Sequence, residues 1–229
     1  MRQLTFYCIG AAFLAMCPAV HASTFTFNTD PFAGTNVVNT PGRQIVGGEE
    51  FLSFSISNDT YDLDSAIFGV GSSVQFANGL ANTLPTAGVN VIVLQNFDDD
   101  NNPQTPFGAG NAANLIASRI TTSGPGFFIY FNQSLDLPRL VYSTDLSSSD
   151  SDLKILARML NLNGANGRNA IPTFTAANFE ITGSATAAPE PSSVAMLLPV
   201  LAACLYVLRR NGLLPNQVRA GRDRPRTWV

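Results

Sequence analysis

Two apolar runs in the second half of the chain decide how it folds: Gly126-Phe127-Phe128-Ile129-Tyr130-Phe131 and Arg139-Leu140-Val141-Tyr142-Ser143. Aromatic and β-branched residues in runs of this length are typical of strands. The residues that join the runs, 132–136, include Asn132, Ser134 and Asp136, which favour turns. The pattern therefore predicts a β-hairpin or an adjacent pair of strands.

Shorter runs of the same kind flank this pair on both sides. They are Ser23–Phe27, Glu50–Ile56, Val89–Leu94 and Thr173–Ile181, and they are separated by residues rich in Gly, Asn and Pro. Short strands between turn-forming residues are typical of sheets packed face to face. The expected fold of residues 23–182 is therefore mainly β, an antiparallel β-sandwich with one or two short helices.

Two segments are expected to form those helices. After the N-capping stretch Ser149–Asp152, apolar residues recur with helical spacing, and Gly164 can end the helix; the apolar residues are Leu153, Leu156, Ala157 and Leu160. Asn111–Arg119 is a second, weaker helix. The pattern G-x-G-x-x-A at residues 108–113 is interpreted as the loop entering that helix, because no strand precedes it as in a dinucleotide site. Both helices are expected to pack on an edge or an end of the sandwich.

The N-terminus has the pattern of a secretory signal peptide. Arg2 precedes the apolar run 6–20, and Ala22 occupies the position before the expected cleavage site. An N-terminal membrane anchor is the alternative, but the run is short for a span and polar residues follow it at once. Residues 1–22 are therefore predicted to be removed by signal peptidase, leaving Ser23 first.

The C-terminal part combines three features in order. Pro189, Glu190 and Pro191 form an extended segment, because proline disfavours helix for itself and for its predecessor. An uncharged apolar run then predicts a transmembrane helix at 192–208. Arg209 and Arg210 follow, and the positive-inside rule places them with the basic tail 209–229 in the cytoplasm. Residues 183–191 are interpreted as a linker with a sorting motif.

This order of motif, apolar helix and basic pair resembles the PEP-CTERM signal over residues 188–210. The resemblance implies that an exosortase recognises Pro189, Glu190 and Pro191 and sorts the protein to the cell surface. It also implies an exported protein of the cell envelope or extracellular matrix that is held by the membrane before sorting and associates with exopolysaccharide. A plain single-span anchor is the alternative, and it gives the same topology.

Charge is divided unevenly along the chain. Residues 23–188 contain 14 acidic and 6 basic side chains, a net charge of −8, whereas residues 209–229 contain six Arg and one Asp. Residues 23–188, called the body from here on, are therefore acidic, and this charge argues against nucleic acid as a partner. Residues 23–188 also contain no Cys and no His, which excludes disulfides, a Ser-His-Asp triad, a thiol nucleophile and a typical zinc site.

One segment has the spacing of a cation site. Asp98, Asp100 and Asn102 alternate, so that their oxygens can line one side of a loop and bind calcium. The remaining positions of an EF-hand are absent, so the alternative is a solvated acidic loop. Asp62 and Asp64, near Asp59, are a weaker version of the same pattern.

Three functions remain open. The leading hypothesis is a sorted surface or matrix protein without catalytic activity and without a required cofactor. The first alternative is a glycan- or calcium-binding module, although the body has no Trp for stacking on sugars. The second is a carboxylate-dependent glycoside hydrolase. Its candidate acids are the adjacent Glu49 and Glu50, which would point to opposite faces of a strand, and Glu180 with Asp145.

Overall fold

A computed structural model describes residues 22–37, 40–102 and 104–183. The predicted transmembrane helix at 192–208 and the residues Pro189, Glu190, Pro191, Arg209 and Arg210 lie outside these ranges, as does the predicted signal peptide apart from Ala22. Within these ranges, no helix is long and apolar enough to cross a membrane.

The described residues form ten strands and three short α-helices. The strands are β1 Thr24–Phe27, β2 Ile45–Val46, β3 Glu50–Leu52, β4 Thr60–Asp64, β5 Phe76–Gly79, β6 Val91–Leu94, β7 Gly126–Asn132, β8 Leu137–Ser143, β9 Leu153–Met159 and β10 Phe179–Thr182. The helices are α1 Ser65–Phe68, α2 Ala109–Ala117 and α3 Gly164–Ala170. The expectation of a mainly β fold is confirmed.

The strands form two sheets. The smaller sheet has the order β1-β4-β10, and the larger has the order β2-β9-β8-β7-β6-β5, with β3 also paired to β9. Six of the eight strand pairings are parallel. The prediction of an antiparallel sandwich is therefore wrong about the direction of most paired strands. The reason is that most paired strands are not joined by tight turns. Long connections such as 95–125, which contains α2, return the chain to the same end of the sheet.

The predicted hairpin is the antiparallel centre of the larger sheet. β7 pairs with β8 from Gly126↔Ser143 to Asn132↔Leu137. All seven residues of β7 are buried, as expected for a central strand covered on both faces. The turn is closed by Asn132, whose side-chain oxygen accepts a hydrogen bond from the Leu135 N–H at 2.9 Å.

The helix predicted after residue 152 is wrong, because these residues form strand β9. β9 pairs with β8, and the register shifts where Leu140 faces Ala157 but Val141 faces Ile155. Leu156 is the extra residue of this β-bulge, and a bulge exchanges the faces to which side chains point. Leu153 and Ile155 therefore enter one core, while the following apolar residues enter the other: Leu156, Ala157 and Met159. A bulged strand that is apolar on both faces mimics the spacing of an amphipathic helix.

The remaining predicted elements are present in shorter form. The buried run at 89–94 is strand β6, and all four of its residues are buried. The run 50–56 is a strand only over β3, and the run 173–181 begins with 3-10 turns and becomes a strand only at Phe179. The weaker helix is confirmed as α2. At the N-terminus of α2, the Asn111 side chain accepts a hydrogen bond from the Gly108 N–H at 3.1 Å.

The larger sheet separates two hydrophobic cores. One face packs against the smaller sheet through an aromatic cluster, in which Phe54 and Tyr61 stack with ring centroids 4.3 Å apart. The other face packs against α2 through Ala112, Ala113 and Ile116. The smaller sheet, the larger sheet and α2 therefore form three layers. Since the body has no disulfide, burial in these cores stabilises the fold.

Candidate functional site

The acidic loop between β6 and α2 is built from consecutive side-chain-to-backbone hydrogen bonds. Asp98 Oδ1 accepts from the N–H groups of Asp100 at 3.1 Å and Asn101 at 3.0 Å. Asp100 Oδ1 accepts from the Asn102 N–H at 2.8 Å, and Asn102 Oδ1 accepts from the Gln104 N–H at 3.0 Å. The alternating Asp-Asp-Asn spacing therefore folds the loop through successive Asx-turns.

The same loop brings carboxylates together at the surface. Oxygens of Asp98, Asp99 and Asp100 lie within 4.8 Å of one another. Asp100 Oδ2 accepts from the Thr105 hydroxyl at 2.7 Å, and Asp99 Oδ2 accepts from Asn111 Nδ2 at 2.8 Å. The Thr105 hydroxyl and the Asn102 N–H lower the pKa of Asp100. Sequence spacing favoured Asp98, Asp100 and Asn102, whereas Asp99 is the third carboxylate of the group in the structure.

The weaker acidic pattern at Asp59, Asp62 and Asp64 is spread over separate contacts. Asp59 is buried before β4. Asp62 accepts hydrogen bonds from the hydroxyls of Thr26 and Thr182 on the neighbouring strands. Asp64 caps α1 by accepting from the backbone N–H groups of its first turn. Each of these carboxylates therefore stabilises a particular junction of the smaller sheet.

A second charged group lies where β3 meets β8 and β9. Glu49 Oε1 accepts from Arg139 Nη2 at 2.5 Å and also from Arg158 Nε. Arg139 and Arg158 are partners across the β8–β9 pair, so their side chains lie on the same face of the sheet. The Glu49 side chain is only 6% exposed, and Arg139 Nε is buried without a hydrogen-bond partner in the described part of the chain.

The environment of Glu49 sets its protonation state. Burial raises the pKa of Glu49, but its backbone hydrogen bond and those from Arg158 and Arg139 outweigh this and lower the pKa to about 2. A carboxyl with such a pKa stays ionised near neutral pH and is unsuited to proton donation, for which enzymes raise the pKa of a carboxyl. Glu49 is therefore suited to ion pairing and not to the role of the general acid in glycoside hydrolysis.

An exposed aromatic side chain adjoins this group. Phe51 is 63% exposed, and the guanidinium carbon of Arg158 lies 5.3 Å from the centre of its ring. This arrangement is a cation–π contact, which orients the guanidinium and the ring on the edge of the larger sheet. Glu50, next to Glu49, is exposed on the same edge strand.

The other acids considered for glycoside hydrolysis lie on different sheets. Asp145 follows β8 and accepts hydrogen bonds from Ser123, Gly124 and Ser147. Burial raises the pKa of Asp145, but these hydrogen bonds outweigh burial and lower it. Glu180 is exposed on β10 of the smaller sheet. Among the described residues, no hydrogen bond or ion pair joins Asp145 to Glu180 or either one to Glu49.

A cleft of about 530 Å³ lies at the end of the smaller sheet where β4 and β10 begin. Its walls are formed by the turn 56–59 and by residues that precede β10, among them Thr173 and Thr175. Asn178 is buried beneath it and donates to the carbonyl oxygens of Ile56 at 2.6 Å and Asp59 at 3.1 Å. These bonds hold the turn 56–59 against the 3-10 turn before β10.

The acidic loop follows from local sequence spacing, whereas the partners of Glu49 do not. Arg139 and Arg158 are 90 and 109 residues away from Glu49 in the chain, and no local pattern links residues at that separation. The only usable signal was that charged residues occur within apolar strands, which requires a partner of opposite charge.

Comparison with known proteins assigns no relative. No protein family, no curated protein and no solved structure matches this chain.

Proposed function

We propose that this chain is an exported, exosortase-sorted protein of the cell surface or extracellular matrix, which acts without catalysis and associates with exopolysaccharide. The observation that carries the proposal is the order of signals: a signal peptide at 1–22, then Pro189-Glu190-Pro191, an apolar run and Arg209-Arg210. Signal peptidase and exosortase are its processing partners, and the helix 192–208 is its membrane contact before sorting.

The extent of the folded body supports this organisation. The first strand begins at Thr24, two residues after the proposed cleavage at Ala22, and the last strand ends at Thr182. Both strands pair with β4 in parallel register. Because parallel strands run in one direction, the chain enters the smaller sheet at one end and leaves it at the other. The linker at 183–191 therefore starts at the end of the smaller sheet opposite to Ser23.

The chemistry of the carboxylates supports a role in binding or structure. Hydrogen bonds from Arg139 and Arg158 keep Glu49 ionised, and Asp145 accepts hydrogen bonds from the loops around it. Groups at the surface include the Phe51–Arg158 pair and, separately, the acidic loop. Such groups suit contacts with polar or charged polymers.

Processing can be tested by the mass of the surface form. The full chain is expressed in a bacterium that has an exosortase and in an isogenic strain without it. We expect a surface form that starts at Ser23 and ends near Pro189, and a full C-terminus in the deletion strain or after Glu190→Ala. Glu180→Ala is the matched control, because Glu180 is an exposed acid ten residues earlier, on β10. Finding the intact protein in the cytoplasm contradicts export, and a full C-terminus in both strains contradicts sorting and leaves the plain anchor.

A second candidate function is calcium binding, which the convergence of Asp98, Asp99 and Asp100 within 4.8 Å favours. Hard cations prefer carboxylate and carbonyl oxygens, and a cation would relieve the repulsion among three neighbouring charges. Calcium is then expected to raise the melting temperature of the purified protein, and Asp98→Asn combined with Asp100→Asn is expected to abolish the rise. Asp150→Asn, a change at an exposed acid on another loop, serves as control. Absence of heat in titration calorimetry at millimolar calcium would exclude the site.

A further inference from the structure

Asp59 is a buried carboxylate at the end of the smaller sheet where the exported body begins. It is 5% exposed. Its Oδ1 accepts a hydrogen bond from the Ser23 backbone nitrogen at 2.9 Å, and its Oδ2 accepts from the Ser55 N–H at 2.8 Å. Within the described residues, no Lys or Arg side chain forms an ion pair with Asp59. Burial of an ionised carboxylate without a counter-ion is unfavourable.

The missing positive charge would be produced by cleavage after Ala22. In the precursor the Ser23 nitrogen is a neutral amide with one N–H. Hydrolysis of the Ala22–Ser23 peptide bond adds water across it, giving a carboxylate on Ala22 and an α-ammonium group on Ser23. That ammonium stands 2.9 Å from Asp59 Oδ1 if the strand keeps its place.

The strand position of Ser23 does not depend on the peptide bond that is cut. The Ser23 carbonyl accepts a hydrogen bond from the Thr60 N–H at 3.0 Å, and β1 continues in register with β4 from Thr24↔Thr60 onward. These contacts all involve atoms on the C-terminal side of the cleaved bond. They hold the new terminus beside Asp59 after the signal peptide leaves.

We propose that signal-peptide removal completes the fold, because the α-ammonium of Ser23 becomes the counter-ion of buried Asp59. This inference rests on the proposed export and on cleavage after Ala22. The mature body would be more stable than the same body in its precursor, so that the fully stable form arises only after export.

The charge of an α-amino group also predicts how stability depends on pH. An α-ammonium has an ordinary pKa of about 8, and an adjacent carboxylate raises it in the folded state. The stabilisation is therefore fully present below about pH 8 and is lost as pH rises through the higher folded-state value. The titratable groups on β4, which pairs with β1, are Tyr61, Asp62 and Asp64, and Glu180 lies on β10 at the far side of β4. Burial, together with the charge of Asp59, raises the pKa of Tyr61 well above its ordinary value. Asp62 and Glu180 are on the outer face of the sheet.

A two-residue insertion tests the inference without touching the fold. Gly-Ser inserted between Ala22 and Ser23 keeps the cleavage site and the Ser23 N–H but moves the new α-ammonium away from Asp59. The full chain with and without the insertion is expressed in the exporting host and purified from its envelope. Intact mass then reports the N-terminus of each form, and thermal unfolding is followed from about pH 7 to about pH 10.5.

The expected result is a melting temperature about 3–6 °C lower for the insertion variant at pH 7, as for the loss of one to two kcal/mol in a domain of this size. The difference should shrink at high pH. In the Asp59→Asn background, the insertion should change the melting temperature by less than 1 °C, or about a quarter of a kcal/mol. Equal melting of both forms at pH 7, with both cleaved after Ala22, overturns the ion pair while leaving export intact. A mass that shows cleavage at another site overturns the ion pair alone, and a mass that shows an uncleaved N-terminus overturns export as well.

Discussion

At the scale of single residues, Glu49 decides how the edge of the larger sheet is held. Its carboxylate accepts hydrogen bonds from Arg139 and Arg158, which come from two adjacent strands. One buried carboxylate thus joins three segments that are distant in the chain. Removing it would leave two guanidinium groups close together without a counter-ion, which is far less favourable than a complete ion pair.

Glu49→Gln is therefore expected to lower the free energy of unfolding by about 2–4 kcal/mol at neutral pH. The pKa of Glu49 is lowered from 4.5 to about 2 in the folded protein. The stabilisation is accordingly present above about pH 4.5 and is lost as pH falls toward 2. Urea unfolding of the wild-type and Glu49→Gln proteins from about pH 7 to about pH 2 measures the change. Glu50→Gln, at the exposed neighbouring residue, is the control and should change stability by less than about 0.5 kcal/mol.

Equal stability of Glu49→Gln and Glu50→Gln at neutral pH would contradict the role given to the ion pairs. A difference that persists unchanged to pH 2 would contradict the low pKa of Glu49 instead. The two results distinguish the contribution that packing of the Glu49 side chain makes to stability from the contribution of its charge.

At the scale of elements, β9 shows how a bulge changes the pattern of a strand. Without the bulge, side chains would alternate strictly between the two faces. With the extra residue Leu156, the apolar residues before it enter the core beside α2, and the apolar residues after it enter the core beside the smaller sheet. The strand thereby supplies apolar side chains to both cores and leaves Leu160 outside.

Two alanine substitutions distinguish the strand from the helix first expected. Ile155 is 1% exposed and Leu160 is 47% exposed, whereas the helical pattern placed Leu160 in the core and omitted Ile155. Ile155→Ala is expected to lower the free energy of unfolding by about 2–4 kcal/mol through the cavity that it creates. Leu160→Ala should lower it by less than about 1 kcal/mol. Chemical denaturation measures both, and the reverse order would contradict the position of β9.

At the scale of the whole body, the larger sheet is shared by two cores. On β7, the adjacent residues Phe127 and Phe128 point to opposite faces, and both are fully buried. Phe127 belongs to the core beside the smaller sheet, and Phe128 to the core beside α2. Since one strand anchors both cores, neither core can unfold while the other keeps its packing.

We therefore expect one cooperative unfolding transition for the described body. Phe127→Leu and Phe128→Leu should each lower the free energy of unfolding by about 1–3 kcal/mol and leave a single transition. Scanning calorimetry tests this by comparing the calorimetric and van't Hoff enthalpies, which are equal for two-state unfolding. Separate transitions for the two cores, or a variant that melts only one of them, would contradict a shared sheet.

Local pattern predicted those parts of the body whose neighbours in space are also neighbours in the chain. The β7–β8 hairpin, the buried strand β6 and helix α2 follow from hydrophobic runs, turn residues and capping. The acidic loop at 98–105 is also mainly local, since the hydrogen bonds of Asp98 and Asp100 link residues two to five positions apart, whereas Asp99 bonds to Asn111, twelve positions away. The prediction of antiparallel pairing was wrong because the pairing of strands in a sheet depends on how the layers pack.

The sequence by itself determined the mainly β character of the body, its lack of disulfides and the order of its proposed export signals, because these depend on composition and on contiguous residues. Only the tertiary structure decided that β9 is a bulged strand, that most strands pair in parallel, and that Glu49 lies between Arg139 and Arg158. It alone placed the Ser23 nitrogen beside Asp59. The physical reason is common to all four: each depends on side chains or strands brought together by burial of two cores, and burial energy depends on area rather than on position in the chain.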